Sequence, residues 1–325
     1  MKALVTGAGG FIGSHVVEAL LQKGWEVLAL VRYNSQGKWG HLENSPARHS
    51  SRLTVSLGDV TDGGQMQRLI EDVDVVLHLA ALIGIPYSYH APASYVQTNV
   101  VGTLNILEAA RRAGVSRVVV TSTSEVYGTA LYSPMDEAHP LQGQSPYSAS
   151  KIGADKLAEA YFRSFGLPVV TLRPFNTYGP RQSARAIIPT VLSQALSGQE
   201  EIRLGNLSPK RDLTFVTDTA RAFLLAAETP AIEGQTIHFG QGKAISIGEL
   251  AQKCIEVVGS QARIVSDSKR KRPSRSEVQV LLCNPTKAKH LLGWEPQVTL
   301  EEGLRRTAQS VQAYLKEYKP ERYNL

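Results

Sequence analysis

The chain has 325 residues, 42% of them hydrophobic, which is ample for a large core in one unit or two closely joined domains. No run of about 18 apolar residues occurs, so no transmembrane helix is expected, and the start Met1-Lys2-Ala3-Leu4-Val5 lacks the apolar stretch of a secretory leader. A net charge of +6 suits a solvated surface or an anionic small substrate better than nucleic acid, because the densest basic run, Lys269-Arg270-Lys271-Arg272, has no interleaved aromatics.

In chain order, residues 3–5 read as a strand and 12–23 as a helix. Strands follow at 27–31 and 53–57, then a helix at about 64–71 and a strand at 73–77. A helix at about 98–113 leads to a strand at 117–120, and a helix at about 146–165 to a strand at 169–172. The strands are near-continuous Val/Leu runs. That pattern predicts an α/β fold with a parallel sheet buried on both faces, doubly wound in the Rossmann manner. After Pro174 the segments shorten, with helices near 187–197, 217–229, 246–258 and 300–318. Cys254 and Cys283 lie in no metal-ligand spacing and read as buried thiols of a reduced, cytoplasmic compartment. No metal is expected.

Gly7-Ala8-Gly9-Gly10-Phe11-Ile12-Gly13 joins the first strand to the first helix. Glycines at 7, 10 and 13 allow a tight turn and a close backbone approach, with the helix N-terminus facing a pyrophosphate. G-x-x-G-x-x-G is a variant of the usual fingerprint. At the first βα junction of a six-strand alternation it points to a nicotinamide dinucleotide. Residues 1–173 are therefore read as a dinucleotide-binding domain and 174–325 as a smaller α/β lobe for the substrate. The chain is expected to return to the sheet near 235–239. The second strand ends Leu30-Val31-Arg32-Tyr33-Asn34-Ser35, with no acid to hold ribose hydroxyls. Arg32 can pair with a 2′-phosphate, helped by Asn34 or Ser35, or can stack on adenine. The pattern favours NADP over NAD.

Tyr147 and Lys151 are four residues apart at the start of a helix and share a face. An ammonium beside a phenol favours the phenolate and lowers the tyrosine pKa. Thr121-Ser122-Thr123-Ser124-Glu125 places hydroxyls and one carboxylate at the end of the fifth strand.

With these residues in hand, the chain resembles the extended short-chain dehydrogenase/reductase family of nucleotide-sugar epimerases and dehydratases. The matches run almost end to end: TGAGGFIGSH at 6–15, GDV at 58–60, HLAA at 78–81 and NVVGTLNILEAAR at 99–111. They continue with TSTSEVYG at 121–128, PYSASK at 146–151, RPFNTYGPRQ at 173–182, RDLTFVTDTA at 211–220 and LLGWEP at 291–296. The resemblance implies that Tyr147 and Lys151 form the active-site pair, that Thr123 holds the sugar hydroxyl being oxidised, and that Asn99 supports the site. It implies that Asp59 and Val60 flank the adenine, and that Phe11, Ile12, Leu79, Ala80, Ala81 and Asn99 complete the cofactor site. Asn176, Arg181, Arg211 and Arg272 would grip the nucleotide-sugar. NADP or NAD would stay tightly bound and be regenerated each turnover.

In related 4-epimerases the position of Glu125 is usually not an acid. A carboxylate here suggests removal of the C5 proton after C4 oxidation, as in nucleotide-sugar 4,6-dehydratases. Many glucose dehydratases carry Thr-Asp-Glu where this chain has Thr123-Ser124-Glu125. Either Glu125 returns its proton to the leaving hydroxyl or a water relayed by Ser124 does. Thr-Ser-Glu also resembles UDP-glucuronic acid decarboxylases, and Arg181 or Arg185 could serve a substrate carboxylate. Decarboxylase and 4-epimerase are therefore the alternatives. AALIGIPYSYHAP at 80–92, residues 140–155 and residues 173–190 look like the N-acetylglucosamine nucleotide 4,6-dehydratases of legionaminic acid biosynthesis, with a UDP- or GDP-linked substrate and UDP favoured. The family also implies a homodimer. The helices near 98–113 and 146–165 would pair across a two-fold axis through Val100, Leu104, Leu107, Ala110, Ala154, Leu157, Ala158 and Tyr161, unless these only cover the parent sheet. No nucleic-acid or membrane partner is expected.

Overall fold

The structure is a computed structural model and describes residues 1–271 and 273–322. The first half runs β1 (Lys2–Thr6), α1 (Phe11–Gln22), β2 (Glu26–Arg32), β3 (Leu53–Gly58), α2 (Gly63–Ile70), β4 (Val75–His78), α3 (Ile85–His90), α4 (Pro92–Tyr95), α5 (Gly102–Ala113), β5 (Arg117–Thr121), α6 (Pro146–Phe165) and β6 (Val169–Pro174). The second runs β7 (Asn176–Tyr178), α7 (Ile187–Leu196), β8 (Glu201–Leu204), β9 (Lys210–Phe215), α8 (Val216–Glu228), β10 (Thr236–Phe239), β11 (Ala244–Ser246) and α9 (Ile247–Val257), then β12 (Arg263–Ser266), β13 (Val280–Leu281), α10 (Thr286–Leu292), α11 (Leu300–Ala313) and α12 (Leu315–Tyr318).

Among the described residues, seven strands form one parallel sheet in the order β10-β6-β5-β4-β1-β2-β3. Alternate strand residues feed opposite cores, as the period of two requires. Ala3 and Val5 pack with Val16, Val17 and Leu20 of α1 and Phe223 of α8. Leu4, between them, packs with Met66 and Ile70 of α2 and Ile106 and Leu107 of α5. Burial on both faces is the physical reason for the Val/Leu runs, and the result is the doubly wound Rossmann-like fold.

After β6 the chain leaves this sheet. It builds β7 and β9, which pair with each other, and then runs through α8 back to β10, beside β6. It leaves again for β11, antiparallel to β9. The chain thus passes between the two sheets three times. A separate core joins α7, α9 and α11 through Leu192, Leu250, Cys254 and Leu304.

Several boundaries differ from the sequence reading. β4 starts at Val75, and Asp74 just before it ties down the two flanking strands: its carboxylate accepts from the Lys2 amide at 2.8 Å, and its carbonyl from Ser116 N at 2.9 Å. The helix expected at 98–113 begins as a π-helical turn, Val96–Val101, before α5. The helix expected at 300–318 breaks at Tyr314, whose φ of −121° is not helical. The short α3 and α4 were not anticipated; each carries a proline in its first turn.

Candidate active site

A cavity of about 1080 Å³ opens at the C-terminal ends of β1, β2, β4 and β5. The strand order reverses between β1 and β4, where doubly wound sheets form their binding crevice. Gly7, Gly10, Phe11, Ile12 and Gly13 line one wall. Side chains are excluded there by backbone proximity. A Cβ at Gly13 would lie 2.2 Å from Gly7 O, and one at Gly7, where φ is +66°, 2.8 Å from Ala80 N. α1 then starts with Gly10 as its N-cap and no side-chain cap. Its first N–H groups are left for a ligand, and the cradle fits a pyrophosphate.

Arg32, Asn34, Ser35, Asp59 and Val60 line the far end of the same cavity. The Asn34 amide is occupied in building its own loop. It donates to Arg32 O at 3.3 Å and Lys38 O at 2.8 Å, and accepts from Gln36 N and Lys38 N. Lys38, which the sequence reading passed over, joins this wall. Asp59 accepts from the amide and hydroxyl of Thr61, both at 2.9 Å. Leu79, Ala80 and Ala81 form the floor. They are fixed from below by Thr6, whose hydroxyl accepts from Leu79 N and Ala80 N and meets His78 Nδ1 at 2.8 Å.

Thr123, Ser124, Glu125, Tyr147 and Lys151 converge on the middle of the cavity. Tyr147 is the second residue of α6. Pro146 precedes it, and Ser145 caps the helix through a reciprocal box with Ser148. Thr123 caps the 3-10 turn Ser124–Tyr127, its hydroxyl accepting from Glu125 N at 3.2 Å. Burial pushes the Tyr147 phenol well above its ordinary range, Thr123 pulls it back by hydrogen bonding, and the charge of Glu125 adds to the rise. The lowering expected from Lys151 is not seen. Lys151 Nζ donates instead to Thr121 O, and desolvation outweighs other influences on the phenol. Burial lowers the Lys151 amine to about 8, against an opposing pull from Asp155.

Asp155 anchors a buried network beneath the site. Its Oδ2 accepts from Ser122 Oγ at 2.7 Å and from Arg173 Nε and Nη2 at 3.1 and 2.9 Å. Arg173 Nη1 donates to Tyr127 OH at 3.1 Å, and that hydroxyl meets His238 Nδ1 at 3.0 Å. Tyr95 of α4 packs edge-on against Tyr147, with ring centroids 6.2 Å apart.

Asn176 and Arg211 line the cavity. Asn176 Oδ1 is buried without a hydrogen-bond partner among the described residues. Arg211 stands 3.6 Å from Glu277, a further wall residue not foreseen. Two expected ligands are placed otherwise. Asn99 is fully buried in the π-helical turn, away from the wall, and bonds Leu82 N and O and Ser150 Oγ. Arg181 is not part of the cavity wall. It donates to Glu18 Oε1 at 2.7 Å and Ser14 Oγ at 3.2 Å, so its charge is spent on α1. Arg272 lies outside the described residues. Arg185 does line the cavity, next to Gly84.

Residues 4–307 match the family described as GDP-mannose 4,6 dehydratase. The chain is 36% identical over 316 residues to a UDP-glucose 4-epimerase of Mycolicibacterium smegmatis, covering 95% of this chain and 98% of that one. It is 34% identical over 313 residues to a dTDP-glucose 4,6-dehydratase of an Actinoplanes species, covering 94% and 96%. Among solved structures, DesIV, the dTDP-glucose 4,6-dehydratase of Streptomyces venezuelae with NAD bound, superposes with a TM-score of 0.87 at 32% identity over 99% of this chain and 100% of that one.

Proposed function

The chain belongs to the GDP-mannose 4,6-dehydratase family of nucleotide-sugar enzymes, and from that premise we propose that it is itself a nucleotide-sugar 4,6-dehydratase. The observation that carries this reading is Glu125, a carboxylate in the cavity wall beside Thr123 and Tyr147. A 4-epimerase needs no such base. Tyr147 takes the C4 hydroxyl proton, for which it must first give up its own against the burial that holds the phenol protonated; Thr123 orients that hydroxyl, and Lys151 supplies positive charge nearby. Bound dinucleotide supplies the hydride acceptor for C4 and the donor for C6. Glu125 removes the C5 proton, made acidic by the 4-keto group, the C6 hydroxyl leaves as water, and C5 takes back a solvent-exchangeable proton when hydride is returned to C6. The proton for that hydroxyl comes from Glu125 itself or from a water held by Ser124, whose own hydroxyl is a poor acid.

The substrate we assign is UDP-N-acetylglucosamine, or its GDP counterpart, on the strength of residues 80–92 and 173–190. The product, a 4-keto-6-deoxy sugar, would serve legionaminic acid biosynthesis. NADP is the preferred dinucleotide: Arg32, Ser35 and Lys38 line the adenosine end, and no carboxylate ends β2. NAD is the alternative, as in the Streptomyces dehydratase. A fluorescence titration in which NAD binds more tightly would reject the preference. The working unit is a homodimer in the cytoplasm. Leu107, Ala110, Ala154 and Ala158 are buried within the chain, whereas Val96, Leu104 and Phe165 stay exposed for a second copy. Light scattering should return twice the chain mass of 35.3 kDa.

Arg185 favours one second reading, a decarboxylase whose uronate substrate pairs with that guanidinium. Mass spectrometry separates the two. The dehydratase removes one water from an N-acetylglucosamine nucleotide without external reductant and gains deuterium at C5 in heavy water. Release of carbon dioxide from UDP-glucuronic acid, with the N-acetylglucosamine nucleotides untouched, would overturn it.

A further inference from the structure

We propose that Arg181 is a positioning residue that latches the cofactor cleft through Glu18 and sets how slowly the dinucleotide leaves. The inference rests on the reading that the cavity holds a dinucleotide. Three chain segments meet at the Glu18 carboxylate. The first is α1 itself, whose opening residues Phe11, Ile12 and Gly13 line the cavity and which carries Ser14, His15 and Glu18 further along. The second is the stretch from Gly40 to Ser45. It starts against the glycine loop, with His41 N donating to Gly9 O at 2.9 Å, and ends with Ser45 Oγ donating to Glu18 Oε1 at 2.5 Å. The third is the turn from Gly179 to Arg185, whose Gln182, Ser183 and Arg185 form part of the opposite wall. It reaches across to α1 twice: His15 Nε2 meets Pro180 O at 3.2 Å, and Arg181 bonds both Glu18 and Ser14.

The contact has the marks of a built joint. Arg181 has φ of 72°, a left-handed conformation that a side chain disfavours. The turn holds that conformation while the guanidinium reaches α1. Arginine's fork is what allows two acceptors to be held at once. Burial alone would raise the Glu18 carboxyl, but hydrogen bonds from His15, Arg181 and Ser45 outweigh it and hold it at about 2. The latch is therefore charged at any pH where the protein works. Its purpose follows from the proposed chemistry: the dinucleotide that takes hydride from C4 returns it to C6, so release is no part of the cycle. A joint between the glycine-loop helix and the substrate-side turn keeps the cofactor in place across turnovers.

The test is the dissociation rate of bound NADPH or NADH, whichever the parent holds more tightly, chased by excess oxidised dinucleotide and read by fluorescence. Glu18→Gln and Arg181→Gln should each speed release by at least about tenfold, the size expected when a charge-assisted hydrogen bond is lost. The double variant should be no faster than either single, because both remove one joint. Arg181→Lys, which can reach Glu18 but lacks the fork, should fall between the parent and Arg181→Gln. Thermal midpoints of the cofactor-free proteins are recorded alongside. Lowered midpoints with release rates within about twofold of the parent would show a merely structural ion pair and overturn the latch. A parent that takes up neither dinucleotide would refute the cofactor reading, and this inference with it.

Discussion

Replacing Asp155 by Asn tests how the site is underpinned. Asp155 is 4% exposed and Arg173 6%, so their charges face each other with little solvent to screen them. One carboxylate oxygen accepts three hydrogen bonds, two of them from the guanidinium. Asparagine keeps the shape and one acceptor but leaves a buried arginine without its counter-charge. Removing one partner of such a pair costs about 3–5 kcal/mol, and the retained acceptor argues for the lower end, ~3 kcal/mol. Urea unfolding followed by tryptophan fluorescence reads this as a lowered midpoint with an unchanged slope. The double variant Asp155→Leu/Arg173→Met removes both charges and should lose less than Asp155→Asn alone. The same substitution removes the pull that holds up the Lys151 amine, now at about 8, so that group should titrate lower. A loss below about 1 kcal/mol, the range of an exposed ion pair, would refute the buried-pair reasoning.

Glu125→Gln should abolish dehydrated product while a single turnover still shows the absorbance of reduced dinucleotide; Tyr147→Phe should show neither, and normal turnover in Glu125→Gln would remove the glutamate from its role. Gly13→Ala places a methyl 2.2 Å from Gly7 O, so the glycine loop must shift; dinucleotide binding should be lost, with about 1–3 kcal/mol of overpacking measured by urea unfolding. The Glu18 carboxyl stands at about 2 against an ordinary 4.5. Its folded value is depressed, so its contribution is complete above 4.5 and is lost as pH falls towards 2. The parent's stability should therefore fall more steeply through that window than that of Glu18→Gln, and identical acid profiles would contradict the assignment.

The parallel sheet was legible because buried strands announce themselves: residues 27–31, 118–120 and 169–172 are almost wholly apolar, while the edge strand at 53–57, Leu-Thr-Val-Ser-Leu, is half-buried and shows only the alternation of one. The glycine loop and the Tyr147–Lys151 spacing were legible because backbone approach and a shared helix face follow from local geometry. What stayed hidden depends on contacts distant in sequence. Nothing near Arg181 announces that its partners are Ser14 and Glu18, more than 160 residues earlier. Nothing near Lys151 reveals that its amine turns to Thr121 O. The network from Asp155 through Arg173 and Tyr127 to His238 joins four segments, each unremarkable alone. Lys38 and Glu277 reach the cavity wall from loops without a periodic pattern, where local rules have least to say.

The three passages of the chain between its two larger sheets have a practical consequence for anyone dissecting the molecule. β10, at residues 236–239, belongs to the main sheet and hydrogen-bonds along β6. A fragment cut after residue 173 would strip β6 of that neighbour and bare a row of unpaired backbone N–H and C=O groups, the kind of raw margin that recruits other chains into aggregates. Nor can the remainder be lifted out whole, since β9 and β11 pair with each other from opposite sides of the excursion to β10. The two halves are stitched rather than strung. Chimeras between relatives should therefore be designed by exchanging exposed loops remote from the cavity, with the seam and the turn at 179–185 left intact.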